Sequence, residues 1–330
     1  MSEQTHIEEP SKATIAAGKK RQSLGVLASL SSATFLGLAP VFGRMAILAG
    51  FSPLAVVALR TSLAVALMFS ILFIFRRQFL YVFPVGLAGC FLAGAINGFG
   101  SILYYLALGQ LPASLGQLLY ALYPLFVAVF SVLDKQPVSR LTLIRVGVAA
   151  VAVFLLTSAD GVNAPLPAVL MMIGAAALYA LHIPINQRVL YEIPAPTVTL
   201  YTLLAMSLVT VPFYLLFDHQ LPSAGISWWP IISLTLVTFA SRLTLFLGIK
   251  NIGGLQAAIL GLAEIFITLI ISHYFLGEIL TLPQIIGAGI LGISITMIAL
   301  DKHDPTKRHP KGGWLAWIHP PEINPWSLQD

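Results

Sequence analysis

The sequence predicts an all-α integral membrane protein: ten transmembrane helices arranged as two inverted five-helix repeats, with the N and C termini cytoplasmic. Three observations carry this. Ten apolar runs of membrane-spanning length follow one another along the 330 residues. The basic residues collect on one side of the ladder those runs make, and the two halves of the ladder repeat each other.

The runs cover residues 24–48, 53–75, 82–108, 112–133, 141–158, 165–187, 196–217, 229–249, 254–276 and 282–300. Each is near the ~20 residues that cross ~30 Å of hydrocarbon. Composition agrees, with 58% of residues hydrophobic and 9% charged against roughly 25% charged in soluble domains. A soluble domain of this length is excluded.

Of the 18 Lys and Arg residues, four lie within runs and the rest on one side. That side holds Lys12, Lys19, Lys20 and Arg21, then Arg76 and Arg77, Lys135 and Arg140, Arg188, Lys250, and finally Lys302, Lys307, Arg308 and Lys311. The opposite connections carry only Asp160, Asp218, His219 and Glu278 as titratable residues. The positive-inside rule makes the basic side the cytoplasm, so a multi-pass protein of the cytoplasmic (inner) membrane of the cell is expected. Adding or removing one span would scatter the basic residues over both faces. The pI near 9.4 does not call for nucleic acid as a partner, because the charge is spread over every inner loop instead of forming one stripe. The partners expected are the lipid bilayer and a small-molecule substrate, with a homodimer left open.

Four segments follow: a polar N-terminal tail (1–22), a first repeat (23–158), a second repeat (159–300) and a C-terminal tail (301–330). The first apolar run is too long for a signal-peptide core, so the N-terminal segment reads as a tail. The C-terminal tail carries Trp314, Trp317, Ile318 and Trp326 among prolines, a composition that suits the headgroup layer as well as it suits a disordered tail.

Taken in chain order, the spans distribute their polar residues as follows. Span one carries Pro40 and Arg44 near its outer end, and span two carries Arg60 deeper. Arg44, one turn from the outer end, can snorkel to the interface; alternatively the pair of cations attracts an anionic group, or neutralises helix C-terminal carbonyls and ties spans one and two together. Span three is rich in glycine and places Asn97, Ser101 and Tyr104 at i, i+4, i+7; its Cys90 is the single cysteine, which rules out an internal disulfide or a cysteine metal site. Span four places Gln117, Tyr120 and Pro124 on one face. Arg145 in span five lies close enough to the inner end to snorkel.

Span six repeats the stripe with Tyr179, His182 and Asn186, span seven contains Pro212, and span eight offers Thr235, Thr238 and Arg242. Span nine sets Gly261, Glu264 and Thr268 on one face, and span ten is glycine-rich. Stripes of this kind line either helix contacts or a wet cavity. Five converging stripes favour the cavity.

An ionisable group at depth costs roughly 2.5–3.5 kcal/mol on insertion scales. From the helical rise, Glu264 lies ~15 Å and Arg242 ~12 Å from the inner face, so an ion pair between them is geometrically open. Left unpaired, Glu264 is a candidate proton-coupling group, the one carboxylate near the midplane. His182 has no second His or carboxylate a turn away, and reads either as a hydrogen-bonded interior residue or as a binding group. No metal-ligand spacing exists.

The repeat is legible in residues. Pro40 with Arg44 and Pro184 with Arg188 both give Pro-x-x-x-Arg, and a Pro soon follows each, Pro53 and Pro196. Leu106 to Phe130 aligns without a gap on Leu247 to Ile271, pairing Tyr123-Pro124 with Glu264-Ile265. Five spans per half is an odd number, so the second half runs through the membrane in the opposite sense, the arrangement of alternating-access carriers with a site near the midplane.

On these residues, with Ser52-Pro53 and Ala58-Leu59-Arg60 opening span two, Tyr105-Leu106-Ala107-Leu108 ending span three, Leu262-Ala263-Glu264 in span nine and Leu276-Gly277-Glu278 after it, the chain resembles the drug/metabolite transporter superfamily, in particular its ten-helix EamA-type transporters. It departs from the pattern at Pro137-Val138, where a Gly-Glu pair is usual, and at Ile265, where a Pro is usual. The resemblance implies export or exchange of a small metabolite, amino acid or toxic compound, and no cofactor.

The function expected is a secondary transporter that moves an amino acid-like or other small organic solute by alternating access, not an enzyme. No Gly-x-x-x-x-Gly-Lys-Ser/Thr run is present to bind a nucleotide. The expected substrate-binding residues are Asn97, Ser101, Tyr104, Gln117, Tyr120, Tyr179, His182, Thr238, Arg242 and Glu264, with Arg44 and Arg60 as anion or gating residues. A non-transporting membrane scaffold or receptor subunit is the alternative, with the C-terminal tail as its one partner surface. An intramembrane transferase is a further alternative, but it needs clustered carboxylates or a nucleophile with its base.

Overall fold

The structure, a computed structural model, describes residues 12–134, 165–218, 220 and 225–278, and singly 144, 147, 148, 151, 282, 286, 289, 290, 293, 314, 315 and 318. Most of the expected fifth and tenth spans, with Arg145, Pro137-Val138, Trp317 and Trp326, lies outside the described residues.

The described chain is helical. Helix α1 runs Lys12–Leu48, α2 Pro53–Phe75, and a 3₁₀ turn Arg77–Leu80 leads into α3, Pro84–Leu108. The expected fourth span is α4, Ala113–Tyr120, followed by α5, Tyr123–Leu133. Then come α6, Leu166–Leu190, α7, Ala195–Phe217, and α8, Trp229–Ile252. The expected ninth span is α9, Gly254–Gly261, and α10, Glu264–Leu276. Eight stretches in these residues are long and apolar enough to cross a membrane, and the protein is a multi-pass membrane protein. Helix α1 extends twelve residues before the apolar run that begins at 24, so part of the expected N-terminal tail is helical.

Local chemistry sets the helix ends. Ser52 accepts a hydrogen bond from Ala55 N at 3.1 Å, and Pro53 occupies the first turn of α2; an N-cap hydroxyl satisfies a free N–H, and Pro removes one at no cost there. Gly253, at φ 86°, separates α8 from α9 in a backbone region that favours glycine.

Packing follows the repeat. Helix α1 lies against α8, and α3 against α6; α3 also packs on α7, and α2 on α8. Exchanging spans one and six, two and seven, three and eight turns each of these pairs into the other. The contacts of α1 with α10 and of α6 with α5 are related in the same way. Small and hydroxylated residues bring the helices close: a Cβ on Gly94 meets Thr202 O at 2.5 Å, and Thr61 and Thr210 hydroxyls lie 2.8 Å apart. Such contacts replace the hydrophobic drive that lipid cannot supply. Large apolar side chains including Phe69, Phe73, Leu216, Leu236 and Ile270 are exposed on the perimeter, as suits a surface solvated by hydrocarbon.

Two predicted continuous spans are broken, and the breaks correspond. Spans four and nine each turn over two residues, Ala121-Leu122 and Leu262-Ala263, equivalent positions in the gapless repeat. There i→i−3 bonds replace the helical ladder, Leu122 N to Leu119 O at 3.3 Å and Ala263 N to Leu260 O at 3.1 Å. In the first half Pro124 removes the donor that would bond Tyr120 O. No proline serves in the second half, where Gly261 instead lies beneath the Tyr123 ring and hydroxyl, and that hydroxyl donates to Ala258 O at 2.9 Å. The break in one repeat therefore rests on the break in the other.

The described part of the C-terminal tail enters the protein instead of resting wholly on the headgroup layer. Leu315 is fully buried with Ala93 and Ile185, and its N–H donates to Asp134 Oδ1 at 3.2 Å. Asp134 also pairs with Arg188 at 2.9 Å. Trp314 remains exposed.

Candidate functional site

A cleft of about 420 Å³, counting the space at its mouth, lies where α1, α2, α3, α4, α6, α8 and α10 meet. Its polar lining comes from both halves. Arg60, Ser101, Tyr104, Gln117 and Tyr120 line it from the first, and Tyr179, Arg242 and Glu264 from the second. Leu36, Ala39 and Tyr105 complete the wall. The two helix breaks place their residues here: Gln117 and Tyr120 lie in the last turn of α4, and Glu264 is the first residue of α10.

Both arginines are held by neutral groups. Arg60 Nη2 donates to Ser101 Oγ at 3.1 Å and Nη1 to Thr238 Oγ1 at 3.3 Å, with the guanidinium carbon 4.7 Å from the Tyr105 ring centroid. Arg242 Nη1 donates to His182 Nε2 at 3.3 Å. His182 Nδ1 bonds the Tyr179 carbonyl, which can only accept, so the ring proton sits on Nδ1 and Nε2 offers its lone pair. Asn97, with its amide turned so that the oxygen faces the guanidinium, accepts from Arg242 Nη1 at 3.0 Å and Nη2 at 2.9 Å. The Arg242 guanidinium carbon is 5.5 Å from the Tyr179 ring centroid. Among the described residues neither arginine forms an ion pair. The pairing of Glu264 with Arg242 that depth alone left open is not made.

Aromatic rings pack the floor. Tyr104 and Tyr120 meet edge to face at 4.9 Å, Tyr120 and Tyr179 lie 5.2 Å apart with their planes tilted by 47°, and Tyr123 stands at 88° to Tyr179. Among the described residues six buried side-chain polar atoms have no hydrogen-bond partner, and besides Ser29 Oγ and Tyr214 OH they are Arg60 Nε, Tyr105 OH, Gln117 Nε2 and Glu264 Oε1. The last four belong to residues lining the cleft. A buried polar group normally has a partner, so this concentration marks a surface made to meet something else.

The EamA-like transporter family model matches residues 23–158 and again 166–300. The chain belongs to the EamA-like transporter family. Its two matched segments are the two halves that supply the cleft. A protein of known crystal structure shares the fold of this EamA-like chain at a TM-score of 0.66 and 16% identity, over 86% of this chain and 97% of that one. No curated protein matches the chain.

Most residues that the sequence singled out converge in this EamA-like bundle. Ser101, Tyr104, Gln117, Tyr120, Tyr179, Arg242, Glu264 and Arg60 line the cleft, and Asn97, His182 and Thr238 lie behind it, bonded to the two arginines. Arg44 does not join them. Its Nη1 donates to Leu108 O at 2.7 Å and Gly109 O at 3.0 Å, so it caps the end of α3 and ties α1 to α3, where a tie between spans one and two was one of the alternatives. Thr268 and Asn186, also on the predicted stripes, make helix contacts instead, Thr268 to Gly37 O at 2.8 Å and Asn186 to His182 O at 3.0 Å and to Thr202. Stripe reasoning missed Tyr105, because adjacent residues on a helix point ~100° apart and Tyr104 already held the stripe. Its position one residue past Tyr104, in reach of Arg60, was the available signal.

Proposed function

We propose that this EamA-like transporter is a secondary carrier. One small organic solute, amino acid-like in size and polarity, binds in the cleft between the repeats and crosses the cytoplasmic membrane as the two halves rock about it, by export or exchange. The observation that carries this reading is the cleft itself: polar groups from both repeats converge there, four of them without a partner among the described residues, at the interface where inverted-repeat carriers bind substrate. The same reading includes ten spans, repeats at 23–158 and 159–300, and both termini in the cytoplasm, supported by the side on which the basic residues fall.

Substrate binding is assigned to Ser101, Tyr104, Gln117, Tyr120, Tyr179, Arg242 and Glu264, with Arg60 as a binding cation. Asn97, His182 and Thr238 act as positioning residues that orient the arginines. The half-helix breaks beside Tyr120 and Glu264 are the hinge points. The test is counterflow in proteoliposomes of purified protein, preloaded in turn with amino acids, nucleosides and sugar phosphates with tracer outside. Accumulation of one tracer class is expected; silence across the panel from folded protein sinks the carrier reading.

A further inference from the structure

The two arginines of the cleft are anchored in register. On α3, Ser101 holds Arg60 and Asn97 holds Arg242; on α8, Thr238 holds Arg60 while Arg242 itself lies four residues on. Both supports are i, i+4 pairs, so the two guanidinium groups stand about one helical turn, ~5.4 Å, apart along the same pair of helices. Arg60 is 7% exposed and Arg242 4%, and every partner that the structure gives them is neutral. Buried charges are ordinarily paired, because an isolated ion in a low dielectric is costly.

The cleft also contains Glu264, 1% exposed, with Oε1 unpartnered, and Gln117, 2% exposed, with Nε2 unpartnered. Two guanidinium charges without an ion-pair partner among the described residues call for an anion. Gln117 stands beside the Glu264 carboxyl, and Oε1 of that carboxyl still lacks a donor among the described residues. Arg60 Nε is a further donor still free.

We infer that the solute is an organic acid: an anionic headgroup is clamped between Arg60 and Arg242, and an amino or hydroxyl group beside it donates to Glu264. This rests on the carrier reading of the same cleft and narrows it. A fixed pair of cations outnumbering the one carboxylate repels a solute that bears only positive charge, so amine-type cations are rejected. A carboxylate and a phosphate monoester share the chemistry that two guanidinium groups recognise. The donor requirement adds the second selection, because a solute lacking that group leaves Glu264 Oε1 buried and unpaired.

The test uses two matched series, so that the carbon skeleton does not decide the result. One is leucine, 2-hydroxy-4-methylpentanoate, 4-methylpentanoate, 3-methylbutylamine and 3-methylbutyl phosphate. The other is phenylalanine, phenyllactate, 3-phenylpropionate, phenethylamine and phenethyl phosphate. Binding to the purified full-length protein is read by thermal shift, and transport by counterflow. In at least one series the amino or hydroxy acid is expected to bind at least tenfold tighter than the plain acid, and the amine not at all, with about tenfold the loss associated with one unpaired buried group. A phosphate that outperforms its carboxylate supports the clamp and names phosphate as the headgroup.

Amine binding as tight as that of the matching acid overturns the inference, and so does failure of every acid and phosphate in both series. Arg60→Gln and Arg242→Gln are each expected to flatten the acid-to-amine ratio, while Glu264→Leu, which leaves no acceptor oxygen, flattens the hydroxy-acid-to-plain-acid ratio and leaves acids favoured over amines. These ratios are read within one variant, so a lower yield of folded protein does not mimic them. Acid-selective binding without counterflow would sink the carrier reading and leave the clamp standing. Counterflow of an amine would do the reverse.

Discussion

Arg60 and Arg242 hang from the same two helices one turn apart, Arg60 on Ser101 and Thr238, Arg242 on Asn97 and beside His182. Neither residue chose the other as a partner, being of like charge, yet the scaffold sets them side by side. Hydroxyl, amide and imidazole groups take up the N–H donors there, and among the described residues neither arginine is given an ion-pair partner.

His182 is where the support for Arg242 is most easily tested. His182→Ala removes the Nε2 acceptor and frees the guanidinium to turn, so solute affinity is expected to fall about tenfold with little change in yield of folded protein. His182→Gln, which can present an amide oxygen, should restore part of it. Thermal-shift titration of the three proteins with a bound acid checks this; equal affinities would show that His182 is only a packing residue.

Close backbone approach beside the site makes a second case. A Cβ on Gly37 meets Glu264 O at 2.5 Å, whereas one on Gly174 has Leu103 Cδ1 as its nearest neighbour at 3.4 Å. Gly37→Ala is therefore expected to push α10 off α1 and cost about 1–3 kcal/mol, the range for overpacking. Gly174→Ala should be neutral or slightly stabilising, since Ala loses less backbone entropy in a helix. Melting temperatures in one detergent compare the two directly.

Away from the cleft, Asp134 and Arg188 form a buried pair, 0% and 6% exposed, and Asp134 also accepts from the Leu315 backbone. Removing one partner of a buried pair costs about 3–5 kcal/mol, because the other charge is left uncompensated. Arg188→Met and Asp134→Leu are each expected to lower the melting temperature, and the double variant to recover part of the loss. Asp134→Leu, alone of the single variants, also frees the tail, so limited proteolysis near Leu315 should quicken in it and not in Arg188→Met.

Topology can be read with thiol labelling, since Cys90 is fully buried and should give little background. Ser2→Cys and Ser327→Cys are expected to react with a membrane-impermeant maleimide only after cells are permeabilised. Asp160→Cys should react in intact cells. A terminal cysteine that labels from outside would refute the ten-span arrangement.

How much of this was legible beforehand differs by feature. The positions of the eight spans among the described residues were, because each apolar run must match the thickness of the bilayer, and runs such as 53–75 coincide with α2. The polar stripes were legible too: a period of 3.6 puts Asn97 and Ser101 on one face whatever that face meets. The breaks in spans four and nine were not. Pro124 hinted at the first, but nothing within span nine announced a turn at Leu262-Ala263, which forms against Tyr123 from the other repeat. The partner of Arg44 was equally out of reach, because Leu108 and Gly109 lie 64 and 65 residues away in the chain.

The sequence by itself determined the solvent of this protein, its membrane-length helices and the family to which it belongs. Those properties depend on composition and short-range periodicity, which the chain carries wherever it folds. Only the tertiary structure decided that Glu264 and Arg242 form no ion pair, that His182 and Asn97 serve the guanidinium, and that Leu315 bonds Asp134. Each of those outcomes depends on the relative rotation and approach of helices far apart in sequence, and no local pattern records it.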